Sequence, residues 1–169
     1  VKDVMFMGGG NITVKTVKSL PKDIDVKILE HNKLRINHLI EKIDNAMIIN
    51  GDARDLQILK EENIEQMDAF VALSENSEAN ILSCLAAKRF GLQKTIAEVE
   101  NIDYIQLAES LDIGTIINKK MLAASYIYQY TLDADVHNVK GLTHVDAEVV
   151  ELTAKKDSPI TKGKIMDIK

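Results

Sequence analysis

The stretch VMFMGGGNIT, residues 4–13, sets three glycines between an apolar run and a segment of helical period. Glycines at such a junction suit a phosphate group. Gly8 would allow a sharp turn out of a strand, and Gly10 would let the backbone approach a pyrophosphate with no Cβ in the way. Free N–H groups at the start of the following helix would then face the phosphates. The third glycine of the dinucleotide fingerprint is replaced by Thr13. That glycine serves close helix–strand packing, so its loss weakens the packing argument more than the binding argument. Taken alone, a glycine run fits a tight turn with no ligand equally well.

Context favours a ligand. Glu30 ends the next apolar run, about 20 residues beyond Gly8, where the fingerprint places an acid that hydrogen-bonds ribose hydroxyls. A carboxylate there repels a 2′-phosphate and favours NAD-type over NADP-type ligands. Asp52 follows AMIING and Ser74 follows AFVAL, so both stand at the ligand-facing edge of an open parallel sheet. Each also has a local explanation of equal weight: Asp52 as the cap of a helix starting at Ala53, Ser74 as a residue just before a helix N-terminus. Their shared position tips the balance toward ligand contact.

These residues need a scaffold, and the chain alternates short apolar runs with longer helix-period segments. VMFM (4–7), VKIL (26–29), AMII (46–49), AFVAL (69–73), TIAEV (95–99) and TII (115–117) read as strands. NKLRINHLIEKI and SEANILSCLAAKRFG read as helices, the second stopped by Gly91. Alternation of this kind requires crossover connections and hence a parallel sheet, because parallel neighbours cannot be joined by a tight hairpin. The expected fold is α/β, a Rossmann-like doubly wound sheet covered by helices on both faces. After about Leu132 the pattern changes. DADVHNVKG is polar and turn-rich, and AEVVELT reads as a strand leading into a loop. Residues 1–132 are therefore expected to form the first domain, and residues 133–169, too few for an independent core, a linker and the beginning of a second one.

Composition narrows the classes. Of 169 residues, 46% are hydrophobic and 28% charged, a globular balance. A net charge of −5, with no cluster of Lys and Arg, argues against nucleic acid as a partner. The apolar runs are too short for a membrane-spanning helix, and no signal-peptide pattern opens the sequence, so a cytoplasmic location is expected. The single cysteine, Cys84, lies in an apolar helical pattern as a buried thiol.

GGGNIT at 8–13, the terminal Glu30, Asn50-Gly51-Asp52-Ala53, Asp68-Ala-Phe-Val-Ala-Leu-Ser74, Glu78-Ala-Asn-Ile-Leu82 and Ala87-Lys-Arg-Phe-Gly91 closely resemble the RCK, or KTN, domain of TrkA-type potassium-uptake regulators. AEVVELTAKKDSPITKGKI resembles the opening of the smaller RCK-C domain of that family. The resemblance implies a regulatory, non-enzymatic domain that binds NAD or NADH, or ATP or ADP. Its partner would be an integral-membrane potassium transporter subunit, contacted at the inner face of the membrane. Carried over by position, Gly8, Gly10, Asn11 and Ile12 face phosphates, Glu30 the ribose, Asp52 and Ala53 the adenine side, and Ser74 and Glu75 the far end of the ligand.

The residues themselves also favour a sensor over an enzyme. A dehydrogenase needs groups that hold substrate and move a proton, yet no sizeable substrate domain is present and no tyrosine has a lysine four positions on. His31, His38, His137 and His144 show no metal-ligand spacing and read as surface or loop residues. No catalytic residue and no metal ligand is nominated. Met121, Leu122, Ala124, Ile127, Tyr128, Tyr130 and Leu132 cover more of a helix than one core-facing stripe requires. A helix buried under the sheet and a self-association face explain this equally; the family resemblance favours the second, as a homodimer or higher homo-oligomer. Two alternatives stay open: an NAD-dependent oxidoreductase fragment lacking its substrate domain, and an interaction module that has lost ligand binding.

Overall fold

A computed structural model of the chain describes residues 1–131, 136–141, 147–164 and 166. It contains two compact units, Val1–Asn118 and Lys119–Lys169.

The first unit is built on six strands: β1 (Asp3–Met7), β2 (Asp25–Glu30), β3 (Met47–Asn50), β4 (Ala69–Ala72), β5 (Lys94–Glu98) and β6 (Thr115–Ile117). All pair in parallel, in the order β3-β2-β1-β4-β5-β6. Between them run α1 (Asn11–Ser19), α2 (Lys33–Lys42), α3 (Leu56–Glu61), α4 (Ser77–Arg89) and α5 (Asp103–Ser110). This is the expected Rossmann-like α/β sheet.

Alternation along β1 explains why the strands are apolar throughout. Val4 and Phe6 point into one core with Val26, Ile28, Val71 and the α1–α2 residues Val14, Val17 and Leu39. Met5 and Met7 point into the other, with Leu29, Phe70, Ala72, Ala97 and the α4–α5 residues Cys84, Ala87, Ile105 and Ala108. Both sheet faces are covered, and each large side chain buried there contributes about 1.5–3 kcal/mol. The Cys84 thiol is buried as expected, and desolvation pushes its pKa up to about 12.

Helix ends follow local chemistry. Asn32 caps α2 by accepting from Leu34 N and Arg35 N, Asp55 caps α3 through Gln57 N, and Asn76 caps α4 through Ala79 N. Gly91 adopts φ +99 just past α4 and donates to the Lys88 carbonyl, so it is the stop that its position predicts.

The second unit holds α6 (Lys119–Thr131) and an antiparallel pair, β7 (Val136–Gly141) with β8 (Glu148–Leu152). Strand β8 is the expected one. β7 corrects the turn-rich reading of 133–141: Val136 and Val139 pair with Leu152 and Val150, with a register irregularity between Val136 and Asn138 that breaks the period-2 pattern by which a strand is recognised. Leu132 lies outside the described residues, as do residues 142–146.

Candidate functional site

In the sheet order, β1 stands between β2 and β4. A crevice opens outside the carboxyl ends of such strands. Here it is a cleft of about 290 Å³, lined in part by Gly8, Glu30, Arg35, Asp52, Ala53, Arg54, Ser74 and Glu75. Six of the residues expected to contact a ligand thus meet in one place. Gly10, Asn11 and Ile12 are not among the lining residues; they form the adjoining start of α1.

The three glycines have different physical roles. Gly8 has φ +96, and a Cβ there would lie 3.0 Å from Ser74 N, so the end of β4 leaves room for nothing but glycine. A Cβ at Gly9 would come within 2.5 Å of Leu39 Cδ1 on α2. Gly10 is the α1 N-cap at φ −74, ψ 178, and no side chain caps that helix. A Cβ on Gly10 would meet no atom within 4 Å. The backbone at Gly8 therefore favours glycine alone, a side chain at Gly9 displaces the Leu39 methyl end, and Gly10 is dispensable for packing.

Thr13 is fully buried, and its hydroxyl donates to the Gly8 carbonyl at 2.6 Å. That bond ties the first turn of α1 to the glycine turn, so the helix is held there without the third glycine.

The Glu30 side chain is 1% exposed. Its Oε2 accepts from Gly9 N at 2.7 Å and its Oε1 from Asn32 N at 2.8 Å, while His31 Nδ1 lies 3.4 Å away. One carboxylate thus clamps the glycine turn to the entrance of α2.

Asp52 does not cap a helix at Ala53, because α3 begins at Leu56 under Asp55. Instead it accepts from Arg54 N at 2.9 Å and grips the Arg54 side chain through Nε and a terminal nitrogen. That side-chain hydrogen bond is the main reason its pKa is lowered to about 2. Neighbouring Ala53 is buried and receives a hydrogen bond on its carbonyl from Ser83 Oγ at 3.4 Å.

Ser74 is not the α4 cap either, since Asn76 holds that position. Its N–H and hydroxyl both donate to Asn80 Oδ1, at 3.0 and 2.6 Å. Asn80 Nδ2 in turn donates to the carbonyls of Ser74 and Glu98 at 2.9 and 2.8 Å. Fully buried, Asn80 fixes the loop after β4 to the end of β5. Glu75 extends outward, and its Oε1 accepts from the Arg35 guanidinium at 2.6 Å.

Sequence reasoning missed Gly9, Arg35, Arg54 and Asn80. Asn80 carried a signal, because an Asn inside an otherwise apolar helical stretch must find buried partners. Arg35 carried none, its partner being 40 residues away. Among the described residues no group of His, Cys, Asp and Glu is arranged to hold a metal ion. His31 and His38 are exposed, as expected; the His137 side chain and His144 lie outside what is described.

Residues 4–119, from β1 to the first residue of α6, match the family model of the TrkA-N domain. The chain belongs to the TrkA-N domain family. The resemblance read from the glycine turn and the β4–α4 region is borne out. Relatives of this TrkA-N chain include the Trk system potassium uptake protein TrkA of Haemophilus influenzae, 37% identical over 153 residues, covering 90% of this chain and 33% of that protein. Another is the TrkA homolog 2 of Methanosarcina mazei, 32% identical over 168 residues, covering 98% of this chain and 38% of that one. The chain thus spans roughly a third of the length of these relatives.

Among solved structures, the TrkA-N domain of the inner membrane protein ybaL from Escherichia coli has a TM-score of 0.68 at 15% identity, covering 78% of this chain and 97% of that one. The GsuK channel bound to NAD has a TM-score of 0.62 at 18% identity, covering 75% of this chain and 23% of that one. Both share the fold of the TrkA-N unit.

Proposed function

We propose that the chain is the nucleotide-sensing part of a TrkA-type regulator, binding NAD(H) or an adenine nucleotide in the β1–β4 crevice and thereby controlling potassium uptake. The observation that carries this is the convergence of Gly8, Glu30, Asp52 and Ser74 on one cleft in a chain whose relatives are named for potassium uptake. Related folds supply the ligand class: GsuK is described bound to NAD and to ADP, and a Kef C-terminal domain in an AMP-bound form.

The residues fit such a ligand. Space for a Cβ beside Gly10 is space that a phosphate can approach, and the uncapped start of α1 offers N–H groups to it. Gly8, Gly10, Asn11 and Ile12 would face phosphate, Glu30 the ribose, Asp52 and Ala53 the adenine side, and Ser74 and Glu75 would lie near the far end. At about 290 Å³ the cleft is at the small end of ligand sites, so part of the ligand extends beyond it along the start of α1. The bound group supplies charge and a rigid bridge across the crevice. It shifts an equilibrium between two arrangements of the regulator by binding one of them better.

Residues 1–132 act as the nucleotide-binding domain and 133–169 as the linker and opening of RCK-C. No α6 residue is buried, and Tyr126, Ile127 and Tyr130 are exposed by 62, 66 and 88%. A second copy of the chain covers this face in a homodimer. The regulator works from the cytoplasm, at the inner face of the membrane, on an integral-membrane transporter subunit; among the described residues no helix is long and apolar enough to cross a membrane itself. The relatives' names, which refer to potassium uptake, support a regulatory role and favour it over an oxidoreductase fragment.

A potassium-limited growth assay tests the proposal. In a strain lacking the full-length gene and every other uptake system, the wild-type gene restores growth at low potassium, and Gly10→Val, expressed to the same level, does not. Equal growth with and without the gene contradicts it.

A further inference from the structure

The cleft carries two arginines, held very differently. Arg54 is gripped by Asp52, two residues away, through Nε and a terminal nitrogen together. Arg35 reaches Glu75 through one terminal nitrogen. Sheet order fixes where that contact lies. Arg35 is on α2, after β2; Glu75 follows β4; β1 stands between the two strands. The ion pair therefore crosses outside the carboxyl end of β1, over the glycine turn, and both residues line the same cleft as Gly8 and Glu30.

From this geometry we infer that Arg35 is a phosphate-binding residue held in reserve by Glu75: the pair closes the cleft across the glycine turn, and an incoming phosphate takes the guanidinium from the carboxylate. The inference rests on the nucleotide site proposed above and names a residue and an exchange that the fingerprint does not contain. Three observations support it. The pair is exposed, with side chains 38 and 82% accessible, so water screens it and it breaks easily. A guanidinium has five N–H donors in a planar fork, and phosphate can take two in parallel where Glu75 takes one. Carboxylates also outnumber arginines on the cleft wall, Glu30, Asp52 and Glu75 against Arg35 and Arg54. An anionic ligand thus gains from drawing Arg35 toward itself and releasing Glu75 to solvent.

Isothermal titration calorimetry of the 169-residue chain with ADP and with adenosine separates the contributions. Glu75→Gln removes the competitor and is expected to tighten ADP about threefold, within the limit of about fivefold that a screened surface pair allows. The gain shrinks between about 0.1 M and about 1 M salt as the screening length falls from about 10 Å to about 3 Å. Arg35→Gln weakens ADP tenfold or more, the loss expected for a charged hydrogen bond, and leaves adenosine within twofold of wild type. Arg35→Lys recovers part of the loss, and Glu75→Gln in the Arg35→Gln background gives less than the threefold gain.

The inference is overturned if Glu75→Gln leaves ADP affinity unchanged or lowers it, or if Arg35→Gln weakens adenosine as much as ADP. In either case saturable ADP binding by the wild type leaves the nucleotide site standing. Absence of ADP binding by both the wild type and Glu75→Gln overturns the inference, and the proposed ligand site falls with it if ATP, NAD and NADH fail to bind as well. Thermal melts of each variant, with midpoints expected within about 2 °C of wild type for surface changes, show that the fold is intact.

Discussion

Gly8 and Gly10 lie two residues apart, yet an added methyl group should act on folding at one and on binding at the other. At Gly10 the backbone angles, φ −74 and ψ 178, suit any residue, and the new Cβ meets nothing within 4 Å. Restricting the unfolded chain stabilises by about 0.4–1 kcal/mol, while alanine is a poorer N-cap than glycine by a similar amount. These effects offset, so Gly10→Ala should leave stability within about 0.5 kcal/mol of wild type. At Gly8 the same methyl group is forced to φ +96 and pressed to 3.0–3.1 Å from the backbone of Leu73 and Ser74. Strain of about 1–3 kcal/mol and displacement of the β4 end together give a loss of about 2–4 kcal/mol. With a urea slope of about 2 kcal/mol/M, the middle of the range for small proteins, the Gly8→Ala midpoint should fall by about 1–2 M, and that of Gly10→Ala by less than about 0.5 M. Calorimetry with ADP and NADH should then show Gly10→Ala folded but at least tenfold weaker, about 1.4 kcal/mol. Wild-type affinity in Gly10→Ala would refute the approach of phosphate to this position. A Gly10→Ala midpoint as low as that of Gly8→Ala would refute the packing description.

Restoring the missing fingerprint glycine should do harm: Thr13→Gly loses the bond to the Gly8 carbonyl and places glycine inside α1, lowering stability by about 2–3 kcal/mol in urea titration. The Asp52–Arg54 pair makes a small pH-dependent contribution. Because the folded-state pKa of Asp52 is depressed from 3.8 to about 2, its stabilisation is fully present above about pH 4 and is lost as pH falls toward 2. Solvent screening of a side chain 35% exposed limits it to about 1 kcal/mol, and Asp52→Asn should flatten the acid limb of a stability–pH curve by that amount. Replacing both Ile127 and Tyr128 with Asp should convert a dimer to a monomer in sedimentation velocity; an unchanged profile would move the interface away from α6.

Much of the fold was legible because burial on both faces leaves strands as short continuous apolar runs. Each expected strand of the first unit lies within a residue or two of the observed one, from 4–7 against Asp3–Met7 to 115–117 against Thr115–Ile117. β7 was hidden because Val136 and Val139 are out of period, with the irregularity at Val136/Asn138 between them. In the site, the turn at Gly8 and the place of Glu30 at the end of β2 could be read because they depend on backbone geometry and position along the chain, whereas the bonds of Glu30 to Gly9 N and Asn32 N could not. The local-cap explanations of Asp52 and Ser74 failed for a local reason: Asp55 and Asn76, a few residues on, are the caps. The role of Thr13 depends on a hydroxyl reaching back to the carbonyl of Gly8, which a glycine fingerprint does not encode. The contact of Arg35 with Glu75 depends on β2 and β4 flanking β1, a property of the sheet rather than of either sequence neighbourhood.

A ¹H–¹⁵N correlation titration of the chain with ADP, ATP, NAD and NADH tests the nucleotide site most directly. The account predicts that at least one of the four produces saturable shifts centred on the amides of Gly8, Gly10, Asp52 and Ser74. No saturable shift with any of them would contradict it, as would shifts centred on Lys22, Asp25 and Asp44 in the cleft beside the starts of β1, β2 and β3.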